Sequence, residues 1–73
     1  MSNKNKDLQN LLNLKTSQSI YINWLEDGGW EVQRVHDVYV LFEIPQYGGN
    51  PYYINTYCES QLFQLIDTVY NWT

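Results

Sequence analysis

An α+β fold is predicted: an antiparallel β-meander of three to four strands, a C-terminal helix packed on one sheet face and a short N-terminal helix. Three observations predict it. Residues 19–57 alternate apolar and polar side chains, and the alternation is cut by Gly, Pro, Asn and Asp. After Cys58 the apolar period changes from two to that of a helix. Near the start, Leu8, Leu11 and Leu12 fall at helical spacing. Strands that follow one another in a run pair antiparallel, and helices then gather on one side of the sheet.

Residues 1–6 are polar and are expected to be disordered, which leaves 7–73 as a single domain. Asp7 is the expected N-cap of a helix of one or two turns, and Thr16, Ser17 and Ser19 end it. "SIYINWL" (19–25) alternates cleanly, with Ile20, Ile22 and Trp24 on one side and Tyr21, Asn23 and Leu25 on the other. Glu26-Asp27-Gly28-Gly29 reads as a turn, because two glycines can take positive φ. "WEVQRV" (30–35) continues as a strand with Trp30 and Val32 inward.

Residues 30–45 admit two readings. Val38, Val40, Phe42 and Ile44 keep the parity of Trp30 and Val32, as one long bent strand would. A strand of about sixteen residues far exceeds the usual five or six. A tight turn at His36-Asp37 with a second strand over 38–44 is therefore preferred. Pro45 removes a ladder donor and stops that strand. "QYGGNP" is a loop, and "YYINTY" (52–57) is rich in residues that suit a pleated surface. In the final segment Leu62, Leu65, Ile66 and Val69 share one helical face, with Ser60 as N-cap and Glu59 beside the helix amino end.

A chain of 73 residues has room for one core and buries only about 60% of the surface its unfolded form exposes. Cys58 is the only cysteine, so no internal disulfide forms, and Cys58 with His36 is too few soft ligands for structural zinc. Dense packing of three Trp, seven Tyr and two Phe, or self-association, is left to stabilise the fold. The single thiol and the polar start point to the cytoplasm of a bacterial host cell, and no apolar run suits a membrane span. Past Lys15 the only cation is Arg34, which faces seven carboxylates, a net of −6 over residues 16–73. Such a body repels phosphate backbones, which argues against direct nucleic-acid binding by the core.

Catalytic chemistry finds little support, and no cofactor is expected. Nucleophilic catalysis needs a nucleophile beside a base, and Cys58 and His36 fall in different connections. Cys58 reads as a small buried hydrophobe at a strand-to-helix junction, and His36 as a solvated turn residue. Glu26/Asp27 and Asp37/Glu43 are paired carboxylates, yet so small a meander has little room for the cleft that glycosidase-type chemistry requires. "DGG" and "YGGN" lack the lysine of a phosphate loop.

Binding is the better reading. With even-numbered residues in the core, Tyr21, Leu25, Tyr39, Leu41, Tyr53 and Tyr57 share the other face with Glu31 and Glu43. Tyrosines there serve either as interface residues or as cross-strand pairs that stiffen the sheet. The outer strands carry no Lys and no interior Pro as guards, so edge pairing into a homodimer is a second route to association. A planar ligand stacked on Tyr47, Tyr52 and Tyr53 is a third reading.

The acids Glu26, Asp27, Glu31, Asp37 and Glu43, set among Tyr21, Tyr39, Tyr47, Tyr52 and Tyr53 in a chain of this size, resemble small phage and mobile-element proteins. Anti-CRISPR and other anti-defence inhibitors are among these. The likeness is one of overall style, and the chain departs from strong DNA mimics, which carry a far denser array of carboxylates. The resemblance implies a non-enzymatic inhibitor that binds a host protein, with a basic groove as the partner surface, and blocks its nucleic-acid or effector site. Glu26, Asp27, Glu31, Asp37, Tyr39, Glu43, Tyr47 and Tyr53 are the expected partner-binding residues. A structural protein that forms homo-oligomers through a sheet edge or a tyrosine-rich face is the alternative.

Overall fold

The computed structural model describes residues 4–25, 28–45 and 48–71, without the side chains of 23–25. Glu26, Asp27 and Tyr47 lie outside the described residues, as do the side chains of Asn23, Trp24 and Leu25. The elements run α1 (Lys4–Leu12), β1 (Ser19–Leu25), β2 (Gly28–Val35), β3 (Val38–Ile44), β4 (Tyr52–Cys58), a 3-10 turn (Glu59–Gln61) and α2 (Leu62–Tyr70). The strands form one antiparallel sheet in the order β1-β2-β3-β4. This is the expected α+β meander, in its four-strand form.

Several boundaries differ from expectation, and β4 runs one residue further, to Cys58. Helix α1 begins at Lys4, so residues 4–6, expected to be disordered, are helical. Asp7 lies inside that helix rather than capping it. Its buried carboxylate accepts a hydrogen bond from the Tyr70 hydroxyl of α2. Strand β2 starts at Gly28, so residues 26–27 alone join it to β1.

The connection between β2 and β3 has the larger effect. Val35 pairs with Val38, so His36 and Asp37 form a two-residue loop. Paired residues then sum to an odd number: Val32 faces Leu41, and Arg34 faces Tyr39. Directly paired residues point to the same side of a sheet. Even positions of β2 therefore share a face with odd positions of β3. The expectation that Val38, Val40, Phe42 and Ile44 continue the core face is corrected here. Tyr39 and Leu41 take the core positions and are fully buried. A one-residue change of register moves every side chain to the opposite face.

The core lies between this face and both helices. Ile22, Trp30, Val32, Tyr39, Leu41 and Tyr57 meet Leu11 and Leu14 from the α1 region and Leu62, Leu65, Ile66 and Val69 from α2. In α2 these four apolar residues fall at helical spacing, so one stripe meets the sheet. Polar ties orient the layers. The Tyr57 and Thr68 hydroxyls are 3.2 Å apart between β4 and α2. Lys4 pairs with Asp67 at 3.7 Å and sits 5.8 Å from the Tyr70 ring centroid, linking α1 to α2.

Arg34 ties the sheet to the end of α1. Its Nη1 donates to the Leu14 carbonyl at 2.8 Å and to the Tyr39 hydroxyl at 2.9 Å. Its Nε donates to the His36 carbonyl at 3.0 Å, and the guanidinium lies 4.8 Å from the Tyr39 ring centroid. The only basic residue after Lys15 is thus a structural peg.

Substitutions at three positions test this packing. Tyr70→Phe leaves the Asp7 carboxylate short of a donor and is expected to lower unfolding free energy by about 1–3 kcal/mol in urea titration. Leu12→Ala, on the exposed side of α1, should stay within about 0.5 kcal/mol of the parent. His36 holds φ at 53° at the first loop position, where glycine is the usual residue. His36→Gly is expected to raise the urea midpoint, with a gain of about 0.5–1 kcal/mol. That is the left-handed penalty of about 1–2 kcal/mol less the entropy of an added glycine. His36→Val should move the midpoint the other way.

Candidate interaction surface

Because both helices cover one side of the sheet, the other side is open among the described residues. Register gives its layout. One row runs Tyr21–Glu31–Phe42–Tyr53 across all four strands. The next runs Ser19–Gln33–Val40–Thr56, and a third runs Val35–Val38–Cys58. Gly29 and Ile44 lie together beyond the aromatic row. Val38, Val40, Phe42 and Ile44 form a half-buried apolar strip on β3. At its sides Tyr21 is 63% exposed and Tyr53 59% exposed.

The aromatic row is held by local contacts. Phe42 and Tyr53 meet edge to face, with centroids 6.3 Å apart at 73°. An edge-to-face pair is a preferred aromatic arrangement because the positive ring edge meets the negative face. The Tyr53 hydroxyl is hydrogen-bonded to Thr56 Oγ1 at 2.8 Å. Glu31 is half-buried on β2, between its cross-strand neighbours Tyr21 and Phe42.

The expected partner-binding residues divide. Glu31 and Tyr53 come together in the open row, joined by Tyr21 and Phe42. Tyr39 is placed in the core by the parity change, with no surface left to offer a partner. Glu43 pairs with Trp30 and Tyr52, so it lies at the margin of the helix side of the sheet. Asp37 is exposed in the hairpin loop. Tyr52 and Tyr53 point to opposite faces, so they do not stack on one ligand. In the loop before them Gly48 and Gly49 take φ of 91° and 103°, values that disfavour any side chain. Val38, Val40, Phe42 and Ile44 were missed as surface residues, although the odd pairing sum of a two-residue loop would have signalled them.

Cys58 is exposed, not the buried hydrophobe expected, because it stands on the open face opposite Val38. Its Sγ lies 3.0 Å from Ser60 Oγ, and its N–H donates to Gln61 Oε1 at 3.1 Å. Gln61 thereby closes the strand-to-helix junction from inside the 3-10 turn, where Ser60 was expected to cap. The thiol is near the sheet end that carries His36, yet it bonds Ser60 and not the imidazole. The Ser60 hydroxyl bond is the main cause that holds the thiol below its ordinary range. Among the described residues no three His, Cys, Asp or Glu side chains converge as a metal-binding group. Among them no helix is long and apolar enough to cross a membrane.

The outer edge of β4 has its own guard. Thr56 N–H is taken by Asn55 Oδ1 at 2.8 Å, and Cys58 N–H by Gln61 Oε1. Donors two residues apart lie on the same side of a strand, and these bond side chains rather than the β3 ladder. A register shift opposite Leu41/Phe42 further bends this strand. These devices replace the Lys or Pro that the sequence lacks.

Compared with known protein families, curated proteins and solved structures, the chain matches none.

The Ser60 contact has a measurable outcome. Iodoacetamide should alkylate Cys58 faster in the parent than in Ser60→Ala at pH 7.5, because a lowered pKa leaves more thiolate at that pH. The pH midpoint of the rate should rise in the variant, and equal midpoints would show that the hydroxyl does not stabilise the thiolate.

Proposed function

We propose that this chain is a non-enzymatic protein-binding module that docks through its open sheet face. One observation carries the reading. Both helices pack on the same side of a four-strand sheet, and the opposite side presents Val38, Val40, Phe42 and Ile44 flanked by Tyr21 and Tyr53. A continuous apolar patch rimmed by polar groups is a usual mark of an interaction site. Tyrosine and other aromatic residues supply large contact area at low rotamer cost. The acidic body agrees with a protein partner rather than nucleic acid. Inhibition of a host protein, as the resemblance to anti-defence proteins implies, is one action such a module performs.

Self-association by strand pairing is the weaker reading, because β4 already satisfies two of its own outer donors. Capture from host lysate tests the docking face. Immobilised parent and Gln64→Lys, altered on the exposed surface of α2, should retain the same partner, while Val40→Lys should lose at least about 90% of it. Circular dichroism on each variant establishes that the fold persists. Equal retention by Val40→Lys would place the docking surface elsewhere.

A further inference from the structure

Glu31 is the one charged group in the described rows of the open face. Its neighbours across the sheet are Tyr21 on β1 and Phe42 on β3, and Tyr53 stands edge-to-face beyond Phe42. None of the chain's four cations belongs to this face. Lys4 and Lys6 are in α1, Lys15 is in the connection after it, and Arg34 pairs with Tyr39 on the helix side. A partner that covers the face removes water from the Glu31 carboxylate, and an ionised group buried without a partner is strongly unfavourable. The compensating charge must therefore arrive with the partner.

On the reading that the open face is the docking surface, we propose that its occupant is a basic protein segment. The segment sets an arginine or lysine side chain on Glu31, among Tyr21, Phe42 and Tyr53. Aromatic faces attract cations, and a planar guanidinium both stacks on rings and pairs with a carboxylate. Apolar side chains of the same segment meet Val40 on one side of the row and Ile44 on the other.

A second copy fits poorly. Face-to-face packing would bring another Glu31 and no cation from the matching face. Four strands about 4.8 Å apart and seven residues at about 3.3 Å give a face of roughly 400 Å² in projection. The face suits one helix or one hairpin of a partner.

Three short peptides test this: acetyl-Leu-Arg-Leu-amide, its citrulline counterpart and its glutamate counterpart, titrated into the ¹⁵N-labelled full chain. The arginine peptide should shift the amides of Tyr21, Glu31, Phe42 and Tyr53 and bind at least about fivefold tighter than the citrulline peptide. The glutamate peptide should leave these amides unmoved. Glu31→Gln should abolish the arginine preference while its spectrum keeps the parent dispersion, and Phe42→Leu should reduce it. If arginine and citrulline peptides shift the open face equally, the cation requirement is wrong and the docking face stands. If the preference survives Glu31→Gln, another acid is responsible and the proposal fails. If no peptide moves the open face, the proposal is overturned and the docking reading is weakened with it.

Discussion

The two-residue connection at His36-Asp37 determines which face each side chain of β3 occupies. A loop of this length pairs Val35 with Val38 and makes all partner numbers in β2 and β3 sum to an odd value. Tyr39 and Leu41 are thereby turned toward the helices, and Val40 and Phe42 away from them. The constraint passes to β4, where Tyr57 joins the core opposite Tyr39 and Thr56 faces out opposite Val40. Had the loop held one residue more, Val40 and Phe42 would face α2 and Tyr39 would stand in water. The core and the open face are products of this short turn together with the register shift in β4, which sets Tyr53 opposite Phe42.

Polar ties then fix the layers that apolar packing alone leaves free to slide. Non-directional burial supplies most of the stability in so small a chain, but it does not select one orientation for two short helices. Arg34 joins β2 to the end of α1, Tyr57 joins β4 to α2, and Tyr70 joins α2 to Asp7 of α1. Each tie uses the hydroxyl or guanidinium end of a side chain whose apolar body lies in or against the core. Among the described residues, no buried side-chain nitrogen or oxygen lacks a partner. Tyrosine-rich composition therefore serves two ends: Tyr39, Tyr57 and Tyr70 orient the core, while Tyr21 and Tyr53 stand on the open face.

Much of the architecture was legible in the sequence because it rests on local periodicity. The four strands, the hairpin at 36–37 and the apolar stripe of α2 follow from alternation, turn residues and helical spacing. Facing was less legible. Counting parity straight through residues 36–37 treated a turn as if it were strand, and it put Tyr39 outside and Phe42 inside. Asp7 looked like a cap because its distant partner Tyr70 cannot be inferred from neighbouring residues. Arg34 entered only the charge count, because its ties to Leu14 and Tyr39 likewise cannot be inferred from neighbouring residues. Of the candidate site, Glu31 and Tyr53 were named from composition and local pattern, but their meeting in one row required the pairing of four strands. Tyr21 entered the row with them, and Phe42 joined only once its face was known.

The closed margin of β4 also limits how the protein can assemble. A sheet that grows into a filament must offer a receptive border on each side, so that every added copy exposes a new one. Here two donors of the β4 border are already taken by Asn55 and Gln61. The β1 border is then the easier one for strand addition, and two copies joined there would form a single eight-strand sheet whose outer borders are both β4. Further growth would have to break the two β4 bonds first. In a chain so rich in aromatic and β-prone residues, that cost opposes strand-by-strand growth into a fibre.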